Sequence, residues 1–420
     1  MALNERIGDL KAGWRTLLAC TSGVCFGLTG LATFAFGVFV IPLTEAFGWT
    51  RGEAAAASSI MLLGNGITAP CVGFAIQRFG ARRIAIFSMV AVALGYLALS
   101  QMNGALMMYY TIWVVMTLLG GGTGNVAWTR QINLTFDRAR GMALGLILAG
   151  SASAAIFVPL LCTKVILLYG WRAGYMALTA VILLIPVPIL LKWFKDIRGP
   201  VQPVATDAAV EAPATGFTLA QAIRRPTYWI QTISFFMVSG AVSFIIVHQV
   251  PLLIDRGMSP MEAASLASIY GLAIIVGRLS DGFLVDIFHG PYVGAFMYSV
   301  AAVGCLLLLF GGQGTLIATL AVLTFGLAGA AEIHQLAFLT SRYYGMREYG
   351  KIYGFQLFSF YIAGALGPLV AGFMFDRFHS YTATLYLATA LYIASAFMLL
   401  MMGPYPKFAS TDGTPEPAHA

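Results

Sequence analysis

Runs of about twenty apolar residues recur along this chain between short polar breaks, and each run is long enough to cross a bilayer core as a helix. Twelve can be counted: residues 17–41, 54–76, 84–102, 106–130, 141–163, 173–194, 227–250, 262–285, 291–311, 315–339, 352–374 and 383–402. Closed barrels, the other fold that lipid tolerates, are built from short alternating segments, which are missing here. The pattern predicts an all-α integral membrane protein of twelve transmembrane helices. The first run is too long for a signal peptide's apolar region and has no small-residue cleavage site after it, so it is expected to stay as a span.

The longest polar interruption before the tail is "DIRGPVQPVATDAAVEAPATG", rich in Pro, Ala and Thr, which reads as a flexible linker. It splits the spans six and six. The expected organisation is a six-helix bundle over 1–195, a linker over 196–216, a second bundle over 217–403 and a tail over 404–420. Shifting the chain by 209 residues superposes "IPLTEAFGWTRGEAAAASSI" on "VPLLIDRGMSPMEAASLASI". The same register pairs Pro42 with Pro251, Glu53 with Glu262, Ser59 with Ser268 and Gly73 with Gly282. It goes on to Gly120 with Gly329, Gly145 with Gly354 and Pro159 with Pro368. Six spans apart means equal orientation, so the halves form a parallel repeat about an axis along the membrane normal. Such a pair has a natural central cavity and a natural rocking motion.

Composition agrees: 59% of residues are hydrophobic and 10% charged, against roughly 25% charged in soluble domains. The net charge of +7 does not point to nucleic acid. With a cytoplasmic N-terminus, seventeen of the 24 Lys and Arg fall on the inner side, five fall at outer loops, and Arg130 and Arg278 lie inside spans. That asymmetry predicts both termini in the cytoplasm. The five cysteines all lie in apolar runs without metal-type spacing, so neither metal nor cofactor is expected. "GGGTGN" (Gly120–Asn125) follows no strand and lacks a Gly-Lys-Ser/Thr ending; it is expected to serve close helix packing.

"GFAIQRFGARR" (Gly73–Arg83) resembles the loop signature of the major facilitator superfamily, and "GFLVDIFHGPY" (Gly282–Tyr292) is its counterpart in the second half. "YGWRAGY", "FTLAQAIRRPTYW", "HQVPLLIDRGMS" and "AEIHQLAFLTSRYYGMREYGKIYG" resemble a bacterial branch related to monocarboxylate/proton symporters and oxalate–formate exchangers. The resemblance implies two six-helix bundles related by a pseudo-two-fold axis and alternating access to a midplane site. It also implies a bacterial inner-membrane location and a working monomer.

Ionisable groups inside spans are expensive, about 2.5–3.5 kcal/mol at a helix centre, and are functional suspects. Arg278 lies about sixteen residues into the eighth span, roughly 24 Å from its outer end and just inward of the midplane. Its planar fork binds carboxylate bidentately and keeps its proton. In the families resembled, an arginine on the eighth span anchors the substrate carboxylate, and Arg278 looks like that residue. The plainer alternative is pairing with Asp281 or Asp286. Glu332 and His334, on the tenth span at similar depth, are candidates for proton coupling, with a counter-ion role for Glu332 as the alternative. His334 aligns with Asn125 under the shift, so both are expected to face the cavity and contact substrate. Tyr361 and other aromatics of cavity spans keep an aromatic acid open as substrate. Arg130 is close enough to the inner surface to snorkel. His248 is expected to be a gate or cap.

The signature's latching aspartate is replaced by Gln77, beside Arg78. Its second-half equivalent, Asp286, keeps the charge and has Arg140 as a natural partner, so the inner latch is expected to be lopsided. The whole predicts a secondary transporter of a small organic carboxylate with a proton, embedded in lipid. A proton-independent anion exchanger and, from another class, a membrane carboxylate sensor are the alternatives; no nucleophile or metal constellation supports an enzyme.

Overall fold

The computed structural model describes residues 8, 10–136, 140–195, 216–312, 314–345, 347–406 and 408. Ten of its helical stretches are long and apolar enough to cross a membrane, from Trp14–Phe47 to Thr382–Leu400. One of these, Gly145–Trp193, runs for 49 residues and holds two spans. It breaks at Gly170, whose φ of 82° suits glycine alone. Beyond the break the two stretches fold together, and a Cβ on Gly174 would lie 2.8 Å from Ile166. The 29-residue helix Arg51–Phe79 completes the predicted twelve; Ser58, Ser59, Asn65 and Thr68 make it more polar than its neighbours.

The duplication is visible in local structure. The second-span helix starts with a capping box in which Thr50 accepts from the Glu53 N–H and Glu53 returns the bond. The eighth-span helix, Pro260–Ile287, starts with the same box built from Ser259 and Glu262. Each satisfies two backbone donors that a helix start leaves over. Of the linker expected over 196–216, only Gly216 lies within the described residues. It forms a β-bridge with Gly345.

Two spans are interrupted. The first divides at Gly27 (ψ 172°) into Trp14–Phe26 and Leu28–Phe47. The fourth divides at Gly121–Gly124 into Leu106–Gly120 and Asn125–Thr135. The breaks meet, because the Leu28 N–H donates to Thr123 Oγ1 at 3.0 Å. "GGGTGN" therefore does more than pack: it ends one helix and starts another. A broken backbone survives at this depth because its freed groups find partners in the protein.

Among the described residues the halves touch chiefly through three helix pairs: second on eleventh (Tyr349–Phe378), fifth on eighth, and first on seventh (Pro226–Asp255). Contact is close at the Arg51 end. A Cβ on Gly372 would lie 2.5 Å from the Gly52 Cα, and one on Gly271 would lie 2.7 Å from Ala155. Ser59 and Ser268, mates under the repeat, donate across the halves to Ala365 O and Ile156 O, each at 2.5 Å. At the linker end a Cβ added to the mates Gly73 and Gly282, or Gly145 and Gly354, would meet no other element within 4 Å among the described residues. The bundle is shut at the Arg51 end and parted at the linker end.

Candidate substrate site

Arg278 sits on the eighth helix seven residues beyond the last close inter-half contact of that helix, Gly271 on Ala155. Its side chain is exposed, as suits a group facing the gap between parted halves. The guanidinium interacts electrostatically with Glu332 on the tenth helix (Thr315–Tyr344) and with Tyr270, two turns back on its own helix. Tyr361 of the eleventh helix is also within electrostatic range of Glu332, and it lies against Gly66 of the second helix, whose Cβ would be 3.9 Å from the ring. Arg278, Glu332, Tyr270 and Tyr361 thus converge where the two halves separate. Glu332 Oε2 is buried and has no hydrogen-bond partner among the described residues. A carboxylate without a second partner is costly in a low dielectric unless a cation stays near.

His334 does not join this group. Two residues beyond Glu332 it projects about 200° away around the helix. There its Nδ1 meets Asp281 Oδ2, while Gln335 Nε2 donates to Asp281 Oδ1 at 2.6 Å. Asp281 is fully buried, and both its oxygens are spent on the tenth helix. The pairing of Arg278 with Asp281, the plainer reading of the sequence, is not how this carboxylate is used. A buried aspartate tied to a half-exposed histidine was not legible because 53 residues separate the partners. Arg130 is half-buried, and its Nε has no hydrogen-bond partner among the described residues.

The Arg51 end carries a polar network that sequence reasoning missed. Arg51 donates from Nη1 and Nη2 to Asp255 at 2.5 and 2.7 Å, and from Nη1 to Tyr381 Oη at 3.1 Å. Its guanidinium carbon lies 3.7 Å from the centre of the Phe375 ring. The Arg51 and Gly52 backbone N–H groups donate to the two oxygens of Asp376 at 3.0 and 3.1 Å. Asp376, near the end of the eleventh helix, thereby caps the start of the second. His248 is fully buried behind this network, with Nδ1 2.8 Å from Tyr381 Oη and Nε2 3.0 Å from Pro368 O. Since a carbonyl only accepts, Nε2 carries the proton, and Tyr381 donates to Nδ1.

Of the residues expected at the inner latch, Arg78 is exposed, with its guanidinium 5.5 Å from the Phe79 ring centre. The side chains of Gln77, Arg140 and Asp286, and that of Asn125, lie outside the described residues. A cavity of about 570 Å³ lies not at Arg278 but near the Arg51 end, between Pro42, Glu45 and Trp171. Only Glu45 among its lining residues is charged, so the polar convergence at Arg278 is the better candidate for a carboxylate.

A family model described as "Major Facilitator Superfamily" matches residues 23–334 and 250–419. The chain is 26% identical to monocarboxylate transporter 13 of Bos taurus over 431 residues, covering 99% of this chain and 95% of that one. Among solved structures, its fold resembles a D-xylose–proton symporter with a TM-score of 0.71 at 15% identity, covering 93% of this chain and 97% of that one. It also resembles a bacterial homologue of the human lysosomal transporter Spinster, in an inward-facing and unoccupied conformation, with a TM-score of 0.68 at 16% identity. That match covers 93% of this chain and 98% of the other.

Proposed function

The chain belongs to the major facilitator superfamily, and from that membership we propose that it carries a small organic carboxylate, a monocarboxylate or aromatic acid, together with a proton. It is a multi-pass membrane protein and a secondary transporter, not an enzyme. Arg278 is the anchor for the substrate carboxylate. The observation that carries this reading is a guanidinium exposed in the gap between the halves, with Glu332 as its electrostatic neighbour. When substrate takes the guanidinium, Glu332 loses its counter-ion and gains a reason to take up a proton. Carboxylate and proton then travel together. Tyr361 lines the same place, Asn125 is its candidate partner from the first half, and His334 is a second proton acceptor held by Asp281.

In this reading both termini and the linker are cytoplasmic in a bacterial inner membrane, so the described state is open to the inside. The protein works as a monomer of two bundles, 1–195 and 217–403. Gln77, Arg78, Arg140 and Asp286 form the latch that closes the inner end. A proton-independent exchanger is the rival reading, favoured if Glu332 is only the counter-ion of Arg278.

The test is uptake into proteoliposomes of labelled mono-, di- and aromatic carboxylates, with and without an imposed pH gradient. Wild type should accumulate a monocarboxylate when the outside is acid, Arg278→Gln should lose uptake at least a hundredfold, and Glu332→Gln should exchange without accumulating. Full uptake by Arg278→Gln would end the anchor role. Full pH-driven accumulation by Glu332→Gln would sink its coupling role, and wild-type uptake indifferent to the pH gradient would favour the exchanger.

A further inference from the structure

Outward of Arg278, on the shut side, a small cavity lies between the halves, walled by Phe34, Gly37 and Pro159 from the first half and Ile246, Gln249 and Tyr270 from the second. Its volume is about 10 Å³, room for one water at most. Two polar side chains in its wall are more than nine-tenths buried: Gln249 is 5% exposed and Tyr270 is 2% exposed. Neither Gln249 Nε2 nor Tyr270 Oη has a hydrogen-bond partner among the described residues. Two buried donors without partners, on residues that wall one small space between moving halves, are unusual, because buried polar groups are nearly always paired.

Tyr270 links this cavity to the anchor. Its ring walls the cavity, while its hydroxyl lies beside Gly329, where a Cβ would approach to 2.7 Å. The hydroxyl is electrostatically coupled to Arg278 and Glu332. Counting from the helix ends at Pro260 and Asp255, Tyr270 lies roughly 12 Å and Gln249 roughly 18 Å outward of Arg278 at 1.5 Å per residue. The arginine and glutamine stems close part of that distance. What remains is about the length of a hydroxyphenyl-alkanoate. Gly37, which lines this cavity, packs closely across the halves, where its Cβ would lie 2.8 Å from Val247 O. When the halves rock open there, this wall becomes the outward part of the substrate site.

We propose that Gln249 and Tyr270 are specificity-determining residues: they form a second polar subsite that reads a hydrogen-bonding group on the end of the substrate remote from its carboxylate. The inference rests on Arg278 holding the carboxylate. A site with fixed, otherwise unpaired donors discriminates against the analogue that lacks the matching group, because that analogue leaves them unsatisfied. An unsubstituted acid would bind Arg278 and leave both donors buried and idle. An acid with a remote hydroxyl would satisfy them in the closed state.

The test is equal-pH exchange in proteoliposomes, using labelled 3-phenylpropionate and 3-(4-hydroxyphenyl)propionate as one matched pair and propionate and lactate as a second. Wild type should prefer the hydroxyphenyl acid to its phenyl analogue about tenfold, two neutral hydrogen bonds being worth roughly threefold to tenfold each before losses. Gln249→Leu should erase most of that preference while leaving 3-phenylpropionate exchange intact, which also shows that the variant folds; Tyr270→Phe, whose residue also neighbours Arg278, should erase the preference ratio whatever it does to the absolute rate. Wild-type exchange with no preference in the first pair overturns the subsite but not the anchor. So does a preference that both variants keep, or one confined to lactate over propionate. If wild type exchanges none of the four acids, the carboxylate reading falls, and the subsite falls with it.

Discussion

Asp376→Asn should open the Arg51 end. The carboxylate accepts two backbone N–H groups at the start of the second helix, at 3.0 and 3.1 Å. Hydrogen bonds to a charged acceptor contribute about 1.5–3 kcal/mol against about 0.5–1.5 for neutral ones. A negative charge at a helix N-terminus adds about 0.3–1 kcal/mol. Asparagine keeps one acceptor oxygen and loses both the second bond and the charge. Allowing for the partial exposure of Asp376, the loss should be about 2 kcal/mol, which moves the shut-to-open ratio roughly thirtyfold. Arg51, stacked on Phe375 and paired with Asp255, stays to hold the rest of the closure. The assay is labelling of Ser59→Cys by a charged maleimide in nanodiscs, with the exposed Cys71 replaced by Ala. Ser59 is buried between the second and eleventh helices, so its labelling rate tracks the open fraction. The rate should rise about thirtyfold in Asp376→Asn. An unchanged rate in a variant that melts like the parent would show that apolar packing alone keeps this end shut, and the capping argument would be wrong.

Gly372→Ala should produce the same opening by steric means, since its methyl would meet the Gly52 Cα at 2.5 Å; a labelling rate equal to the parent's would refute the close approach. Asp281→Asn should destabilise the second half by about 1–3 kcal/mol, seen as a lower melting temperature in detergent, because the buried Asp281 serves both His334 and Gln335. Adding His334→Gln to it should cost little more, as the two act through one contact. At the linker end, the Lys351 ammonium at 2.8 Å and the Leu219 N–H at 2.7 Å hold the Glu348 carboxyl below the usual carboxylate range. A lowered pKa stabilises the folded tie above the unfolded value and loses it as pH falls through the folded one. Amide exchange over 217–223, corrected for intrinsic rate, should therefore accelerate below about pH 4 and not between pH 5 and 7. Equal protection at pH 3 and 6 would discount the tie.

Much of the architecture was legible because lipid imposes a crude and reliable constraint. Apolar length announces a span, and a six-span shift that superposes Pro42 on Pro251 and Glu53 on Glu262 announces two like halves. The capping boxes at Thr50 and Ser259 follow from the same pairing. Arg278 stood out because it is a cation deep inside an otherwise apolar run. What stayed hidden depends on rotation and on long-range pairing. Glu332 and His334 are neighbours in sequence, yet they face different partners, which only the helix phase reveals. The network at Arg51 draws on Asp255, Asp376 and Tyr381, residues up to 330 positions away. Each of these looks like an ordinary loop-end residue on its own. The break in the fourth span was readable as a glycine run, but its meeting with the first span at Thr123 was not.

Gly170 has a practical consequence. The fifth and sixth spans meet at this single residue, not through a loop, and the flanking Leu167, Leu168 and Tyr169 are apolar and exposed at 56%, 63% and 75%. A protease, an antibody or an inserted tag has nothing to grip there. Fusions and epitope insertions meant to map which compartment each connection faces belong instead at Gln101–Ala105 or Arg256–Ser259, where the backbone leaves the helices. Any residue other than glycine at 170 would also strain the joint. The two spans it connects should therefore move as one rigid lever whenever the halves rock.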